Sequence, residues 1–319
     1  MKVKDYAQGE NYIAYNADCV EVSRGLDDDS VDFIIYSPPF SSLYTYSNDE
    51  RDMGNCKDDD EFFKHFNFLV AEMYRMLRPG RIMAVHCMNL PTSKQNDGFI
   101  GIKDFRGELI KSFQDHGFIY HSEVCIWKCP VVAMQRTKAL GLLHKQLKKD
   151  STMSRQGIAD YMVMMRKPGD NENPVDGEIQ YYVGDEPPKG FREVLRADGS
   201  SMYIKHGDGS TNIDTWQRYA SPVWMDVNQS RTLQYQNARA TDDERHIAPL
   251  QLDVIERCMQ LWSKEGDVVF SPFMGIGSEG YVALQMGRKF IGAELKESYF
   301  DLAKRNLDEA ETIKQYDLF

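Results

Sequence analysis

The sequence lacks any apolar run long enough to cross a membrane, which argues against a membrane-spanning helix. Residues 1–10 are polar and charged, without the apolar stretch of a signal peptide. The six cysteines are scattered, and Cys125 and Cys129 have no second Cys/His pair at zinc-binding spacing. We therefore expect a cytoplasmic protein with reduced thiols, no membrane association and no metal site.

A surplus of positive charge is also missing, since 38 Lys and Arg face 49 Asp and Glu and the formal net charge is −11. Contacts to nucleic-acid phosphates need Lys and Arg, so this balance argues against a general polyanion binder but allows one basic face. Residues 128–167 provide such a region, where only Asp150 and Asp160 oppose the basic side chains. A solvated helix face is the alternative for 145–149, but the contrast with the rest of the chain favours a phosphate-facing segment. The candidate contacts are Lys128, Arg136, Lys138, Lys145, Lys148 and Arg155.

An apolar run at 31–36 predicts a buried strand, which is followed by Ser37, Pro38, Pro39 and Phe40. Proline cannot donate a ladder hydrogen bond, so the strand stops and a polar and an aromatic residue are held in a rigid tip. Ligands bind at this edge of an open α/β sheet. A strand followed by a simple Pro-Pro turn is the alternative.

Strand-like and helix-like segments alternate on both sides of the basic region, which predicts an α/β domain with a largely parallel sheet. Between them, 168–210 is rich in Gly, Pro and acidic residues and predicts an irregular insertion. The predicted strands are 11–18, 31–36, 81–87, 118–127, 268–270 and 289–294. The predicted helices are 20–26, 61–77, 105–116, 251–262, 279–286 and 297–307.

The stretch from Ser271 to Ser278 is a glycine loop between a predicted strand and a predicted helix. Its glycines let the backbone approach a ligand, and the helix N-terminus offers N–H groups. The next predicted strand ends in Glu294, whose carboxylate suits a ribose diol. Neither the full dinucleotide fingerprint nor the Gly-Lys-Ser/Thr of a P-loop is present, so a single-nucleoside cofactor fits better than NAD or ATP.

The position of this loop near the end of the chain is unusual, because cofactor loops normally follow the first strand of a doubly wound sheet. Only one predicted strand follows the loop, and two strands cannot make the sheet. The remaining strands must come from the N-terminal half. The sequence therefore predicts a sheet that is circularly permuted relative to the chain, with the strand end at Ser37 beside the glycine loop.

These two stretches resemble the DNA amino-methyltransferases of the permuted β class, which use S-adenosylmethionine. The family signature Asp/Asn/Ser-Pro-Pro-Tyr/Phe matches Ser37 to Phe40. The signature Asp-Pro-Phe-x-Gly-Ser-Gly-Thr matches the glycine loop, with Ser271 in place of Asp and Ile276 in place of a small polar residue. Weaker matches cover 16–19, 246–250, 292–294 and 299–305, and the resemblance as a whole covers roughly residues 11–130 and 240–310.

The resemblance implies an α/β fold with a doubly wound, Rossmann-like class I methyltransferase sheet, circularly permuted, and an inserted target-recognition region. The expected units are a catalytic half at 1–130, a target-recognition region and linker at 131–240, and a cofactor-binding half at 241–319. Asp18 would hold the adenine of the cofactor and Glu294 its ribose hydroxyls. The full set of implied cofactor residues is Asp18, His246, Ser271, Phe273, Gly275, Gly277, Ser278 and Glu294.

The resemblance further implies methyl transfer to the exocyclic amine of a base flipped out of double-stranded DNA. The Ser37 hydroxyl and the Pro38 carbonyl would accept the amine hydrogens, Phe40 would stack on the base, and Tyr44 and Tyr46 would help enclose it. Serine in the first position points to N4 of cytosine more often than to N6 of adenine. The implied partners are double-stranded DNA and a cognate restriction endonuclease, with the chain a monomer or homodimer.

Other chemistries fit less well. Methylation of cytosine carbon 5 usually needs a Pro-Cys thiolate, and the adjacent pair here is Cys129-Pro130, in the reverse order. Methyltransferases of RNA or protein glutamine use similar tips but usually keep the cofactor loop before the catalytic strand. A nucleotide-binding module without catalysis stays an alternative, and an oxidoreductase is disfavoured by the incomplete fingerprint.

Overall fold

A nine-stranded mixed sheet forms the centre of the fold, as seen in a computed structural model of the chain. The strands, together with those of two small hairpins, are β1 (Val3–Gln8), β2 (Tyr12–Ala17), β3 (Val31–Tyr36), β4 (Leu77–Met88), β5 (Leu90–Thr92), β6 (Gly101–Lys103), β7 (Ile119–Ile126), β8 (Asp160–Arg166), β9 (Phe191–Leu195), β10 (Ser201–Lys205), β11 (Val223–Trp224), β12 (Val268–Ser271) and β13 (Lys289–Glu294). The nine strands lie in the order β1-β2-β13-β12-β3-β4-β8-β7-β11. The structure describes residues 3–40, 51–95, 97–131, 144–175, 179–196, 198–206, 213–234 and 249–313.

Helices cover both faces of this sheet. The described helices are α1 (Cys19–Arg24), α2 (Asp59–Met76), α3 (Phe105–Asp115), α4 (His144–Leu147), α5 (Ile213–Tyr219), α6 (Leu252–Trp262), α7 (Ser278–Gln285) and α8 (Glu297–Thr312). Phe33 and Ile35 of β3 belong to an apolar cluster with α6, α7 and α8, whereas Ile34 and Tyr36 belong to one with α1, α2 and α3. This alternation confirms the doubly wound α/β architecture. None of the described helices combines the length and the apolar character needed to cross a membrane.

The strand order confirms the predicted circular permutation. β12, from the C-terminal part of the chain, lies between β13 and β3 and is parallel to both. Val269 of β12 pairs with Phe33 of β3, and Phe270 pairs with Ile34. The glycine loop that follows β12 therefore begins at the same sheet edge as the tip that follows β3.

Most predicted elements agree with the structure and differ at their ends. The strands at 31–36 and 289–294 have the predicted bounds. β1 carries little sequence signal, because its polar and largely exposed residues form an edge strand with little apolar pattern. The small hairpin of β9 and β10 corrects the prediction of irregular structure at 168–210 for its own residues. Met202 of β10 is buried in the core, and Phe191 and Tyr203 pack against it.

β8 is the main element that the sequence pattern does not predict. It runs antiparallel between β4 and β7, with a buried apolar run at 162–165. The run lies inside the basic region 128–167, where the prediction from sequence rests on the Lys and Arg residues and not on the apolar ones. The described part of the segment 131–240 therefore contributes strands β8 and β11 to the main sheet, and the role of the segment in target recognition stays a prediction.

Buried ion pairs attach residues 196–231 to helix α6. Arg196 donates two hydrogen bonds to the carboxylate of Glu256, at 2.7 and 2.6 Å. Arg231 donates to Asp253 at 2.8 Å and also contacts Glu256. Since breaking a buried pair by removing one partner costs about 3–5 kcal/mol, these contacts hold the two parts of the chain together.

Candidate active site

The tip of β3 lies at an edge where three parallel strands end. β3 is buried along its whole length and ends at Tyr36, directly before Ser37. Its neighbours β12 and β4 run parallel to it, and Tyr36 pairs with Val85 of β4. This register places Ser37 next to His86, and the Ser37 Oγ lies 3.0 Å from the His86 Nδ1.

The antiparallel strand β8 brings an acidic residue to the same edge, because its first residue lies beside the last residues of β4 and β7. That residue, Asp160, has its Oδ2 2.9 Å from the His86 Nε2. A carboxylate only accepts, so the His86 Nε2 carries the hydrogen that faces Asp160, and in the tautomer with that single ring hydrogen Nδ1 accepts from the Ser37 hydroxyl. We refer to Ser37, His86 and Asp160 as the Ser–His–Asp relay.

Lys128 completes this group of polar residues. It follows the end of β7 by two positions, and its Nζ contacts the same Asp160 oxygen that His86 contacts. Burial by itself would raise the pKa of the Asp160 carboxyl, but Lys128 and His86 outweigh this and hold that pKa below its ordinary value. Asp160 is therefore an anion that orients His86 and fixes its tautomer.

Apart from Ser37, the sequence does not identify the relay. His86 and Asp160 are single polar residues at the ends of apolar runs, a weak signal that many strands carry. The sequence predicts Lys128 as a phosphate contact, and the structure gives its ammonium Asp160 as a partner. A phosphate contact by Lys128 stays a prediction.

Phe40 lies next to the relay and is half-buried. Its ring meets that of His86 edge-on, with centroids 6.5 Å apart, and that of Phe105 at 6.3 Å. Pro38 is buried, which fixes the backbone between Ser37 and Phe40. The predicted residues Tyr44, Tyr46, Arg136, Lys138 and His246 lie outside the described residues.

Two glycines of the loop after β12 have different physical roles. Gly275 and Gly277 have φ values of 53° and 87°, a region in which glycine carries no Cβ penalty. A Cβ at Gly277 would lie 3.3 Å from the Cβ of Ala303, so this glycine lets α8 pack closely. A Cβ at Gly275 would meet open space, so the backbone there borders room for a ligand.

Glu294, the last residue of β13, attaches the loop to the neighbouring strand. Its Oε2 accepts from the Gly275 N–H at 3.0 Å and its Oε1 from the Lys296 N–H at 2.8 Å. A carboxylate offers about four acceptor positions, so positions remain for ligand hydroxyls. Burial, helped by the nearby Asp52 carboxylate and opposed by the two backbone donors, raises the pKa of Glu294 to about 7.

Asp18 follows β2 at the same edge and caps helix α1. Its Oδ1 accepts from the N–H groups of Val20 and Glu21, both at 3.0 Å. An open cavity of about 350 Å³ adjoins Asp18 and is lined also by Met53 and Cys56. This volume is in the range of small-molecule sites, so Asp18 combines a structural role with a place beside a ligand-sized space.

The residues at this edge fit an adenosine-containing cofactor. Ser271 is completely buried, and its Oγ has no hydrogen-bond partner among the residues that the structure describes. A buried hydroxyl without a partner is unfavourable, and a polar ligand atom would satisfy it. Phe273 packs on Tyr36 with ring centroids 5.8 Å apart, and Ser278 is buried at the start of α7, so both ends of the loop are fixed.

The basic residues further along the chain differ in exposure. Lys145 and Lys148 are exposed, as a phosphate-facing segment requires. Arg155 is half-buried and donates to the backbone carbonyl of Gln156 at 3.0 Å. Contact between these three residues and DNA stays a prediction.

Sequence comparisons connect this edge to known proteins. The N6_N4_Mtase family model, described as DNA methylase, matches residues 31–305. The type II methyltransferase M.BglII of Bacillus subtilis is 23% identical, over 95% of this chain and 73% of its own. The orphan methyltransferase M.BamHII of Bacillus amyloliquefaciens is 22% identical, over 90% of this chain and 92% of its own.

Solved structures share the fold. A Thermus thermophilus protein, named as a DNA modification methylase and complexed with S-adenosyl-L-methionine, has a TM-score of 0.60 at 18% identity and matches 92% of this chain and 94% of its own. The PvuII DNA methyltransferase, named cytosine-N4-specific, has a TM-score of 0.59 at 14% identity, over 98% of this chain and 95% of its own. At these identities the likeness shows a common fold.

Proposed function

This chain belongs to the DNA methylase family of the N6_N4_Mtase model, and on that premise we propose that it methylates the exocyclic amine of a base in double-stranded DNA, preferring N4 of cytosine. It is an S-adenosylmethionine-dependent DNA amino-methyltransferase. The observation that carries the proposal is the hydrogen bond between Ser37 and His86 at the edge that holds the glycine loop.

The cofactor residues fit this activity. Glu294 and Asp18 would hold the ribose hydroxyls and the adenine, and the buried Ser271 hydroxyl offers a further polar contact. The bound cofactor supplies an electrophilic methyl group on a sulfonium. The space at Gly275 lets the loop backbone come close to it without a side chain between them.

The relay accounts for the proton that the reaction releases. An exocyclic amine is a weak nucleophile because its lone pair is delocalised into the ring. Methyl transfer to this nitrogen would form a new N–C bond, break the bond between the methyl group and the sulfonium sulfur, and leave a neutral thioether, so that one N–H proton must also leave. The Ser37 Oγ accepts that proton while its own hydroxyl proton passes to the His86 Nδ1, and Asp160 stabilises the resulting imidazolium. The imidazolium then returns the proton to water.

The rigid tip positions the base. The Pro38 carbonyl would accept the second amine hydrogen, and the Phe40 ring would stack on a base flipped out of the duplex. Phe40 is itself held by Phe105 and His86, so its plane is set before the base arrives. Positioning of this kind supplies much of the rate of an amine methylation, because no covalent intermediate with the protein is needed.

Cytosine is the preferred target because Ser37 occupies the place that Asp or Asn more often fills in adenine-specific relatives. N6-adenine methylation is the alternative, since adenine also presents an amine beside a ring nitrogen acceptor. M.BglII is named a type II methyltransferase, and on that basis we include a cognate restriction endonuclease among the proposed partners.

The test is to incubate the purified protein with unmethylated duplex DNA and S-adenosylmethionine, digest the DNA to nucleosides and analyse them by mass spectrometry. We expect N4-methylcytosine. N6-methyladenine would keep the relay chemistry but overturn the choice of base. If neither forms on DNA of varied sequence while the protein still binds the cofactor, the substrate is not DNA, and RNA and protein take its place.

A further inference from the structure

Lys128 and His86 share a single oxygen of a buried carboxylate. The Lys128 Nζ contacts the Asp160 Oδ2, and the His86 Nε2 lies 2.9 Å from the same atom. The other oxygen, Oδ1, is buried without a hydrogen-bond partner among the described residues. The ammonium and the imidazole therefore share one acceptor oxygen, and the charge of one affects the protonation of the other.

We propose that Lys128 is a positioning residue of the methyl transfer: as a permanent counterion of Asp160, it keeps His86 neutral and the His86 Nδ1 ready to accept a proton from Ser37. This inference rests on the proposed function. Lys128 acts through Asp160 and His86, without contact to the base or the cofactor.

The charges around His86 explain this role. With Lys128 present, the carboxylate and the ammonium cancel, and the neutral imidazole sits beside a pair of no net charge. Without the ammonium, the negative charge of the buried Asp160 carboxylate is uncompensated, so that His86 and Asp160 together take up a proton more readily. An opposite charge in contact with a titratable group shifts the pKa of that group by about 1–3 units.

Either place for that additional proton disables the relay. If it sits on the imidazole, both ring nitrogens carry hydrogen and Nδ1 donates to the Ser37 Oγ. If it sits on Asp160, the carboxyl hydrogen donates to Nε2 and the neutral ring moves its own hydrogen to Nδ1. In both cases Nδ1 no longer accepts, so Ser37 cannot pass on its hydroxyl proton.

The other titratable groups near this cluster do not replace Lys128. Arg106 of α3 is paired with Glu123 of β7, with Nη1 3.0 and 3.1 Å from the two carboxylate oxygens. Burial raises the pKa of the Cys87 and Cys125 thiols, so both are neutral. Burial raises the pKa of the Tyr161 hydroxyl of β8 in the same way. Among the described residues, the cationic group recorded on Asp160 is therefore the ammonium of Lys128, which lies beside the His86 imidazole.

The exposure of Lys128 separates this role from a phosphate contact. Its side chain is 23% exposed and its ammonium is engaged by Asp160, whereas Lys145 is exposed on α4. A lysine that contacts phosphate contributes about one unit to the slope of log K against log salt for DNA binding. A lysine that keeps His86 neutral changes the pH dependence of the chemical step instead.

The experiment compares Lys128→Met and Lys128→Arg with the wild type, and uses Lys304→Met, at an exposed position on α8, as the matched control. Two quantities are measured: the single-turnover rate of methylated-nucleoside formation from pH 5.5 to 9.5, and DNA affinity as a function of salt. We expect the acid limb of the Lys128→Met profile to move up by about 1–3 pH units, with an unchanged salt slope. Lys128→Arg and Lys304→Met should keep the wild-type acid limb.

Two outcomes would overturn the proposal. An unchanged acid limb with a salt slope reduced by about one would make Lys128 a phosphate contact. An equal loss of rate at every pH would make its role structural. Lys128→Gln, which keeps a hydrogen-bond donor for Asp160 but not the charge, carries the same prediction if Lys128→Met does not fold. Failure of the proposed function is separate, since the wild type would then methylate no base in DNA at any pH.

Discussion

Ser37 Oγ and His86 Nδ1 lie 3.0 Å apart, although 49 positions separate the two residues in the chain. They meet because β3 and β4 are parallel neighbours whose carboxyl ends share one edge. Asp160 reaches His86 only because β8 runs in the opposite direction. The site therefore depends on the mixed character of the sheet.

Removal of the Ser37 hydroxyl tests the proton path. Ser37→Ala should lower the single-turnover methylation rate by about 10²–10⁴-fold, the usual contribution of a positioned proton acceptor. Cofactor affinity should stay within about threefold. Ser30→Ala is the matched control, because the Ser30 hydroxyl donates to the Asp27 carbonyl in an exposed turn. A Ser37→Ala rate close to that of the control would remove Ser37 from the mechanism.

The raised pKa of Glu294 gives cofactor binding a pH dependence. With a pKa of about 7, the carboxylate that would accept the ribose hydroxyls is mostly protonated at pH 6 and mostly ionised at pH 8. The dissociation constant for S-adenosylmethionine, measured by calorimetry, should therefore fall about tenfold from pH 6 to pH 8.

Glu294→Gln should bind the cofactor more weakly and show no such pH dependence. The matched control is Glu297→Gln, which changes an exposed carboxylate at the start of α8. It should keep the wild-type affinity and its pH dependence. A flat pH profile for the wild type would contradict an ionised Glu294 as the ribose acceptor.

Gly280 tests the packing of α7, the helix that begins after the glycine loop. A Cβ at this position would lie 2.5 Å from the Leu307 Cδ2 and 2.5 Å from the Phe290 Cε1. Gly280→Ala should lower the free energy of unfolding by about 1–3 kcal/mol, measured with denaturant. In Gly157→Ala the new Cβ meets Pro130 at an ordinary 3.7 Å, so this control should change stability little. Equal stability of the two variants would contradict the packing.

Glu256 links stability to acid pH. Burial would raise its pKa, but Arg196 and Arg231 outweigh burial and hold it at about 2. Because the ordinary value is about 4.3, this stabilisation is complete above about pH 5 and is lost as the pH falls toward 2. Glu256→Gln should cost about 3–5 kcal/mol at pH 7 and weaken the acid dependence of unfolding. Glu309→Gln, on the exposed side of α8, should leave both unchanged.

The two signature stretches and the permuted sheet could be predicted because each rests on a continuous pattern. The apolar run at 31–36 gives a strand, the prolines end it, and the glycines mark the second ligand loop. The position of that loop near the C-terminus is sufficient to require that β12 lies beside N-terminal strands. Val269 and Phe33 are the observed pair that confirms it.

The rest of the relay could not be predicted, because it depends on the direction of β8. His86 and Asp160 are 74 positions apart and have no shared motif, and an antiparallel strand from a basic segment brings them together. Lys128 shows the same limit. The basic residues that follow Lys128 in the sequence indicate a contact to DNA phosphate. In the structure, its ammonium pairs with the carboxylate of Asp160 instead.

Base modification in living cells tests the central claim most directly. The wild type and Ser37→Ala would be expressed in a bacterial host without DNA methyltransferases of its own, and the genomic DNA would be analysed for modified nucleosides and for their sequence context. We predict N4-methylcytosine within one short recurrent sequence for the wild type and none for Ser37→Ala. Methyladenine alone in the wild type, or equal methylcytosine in both, would contradict the assignment of Ser37 as the acceptor in cytosine N4 methylation.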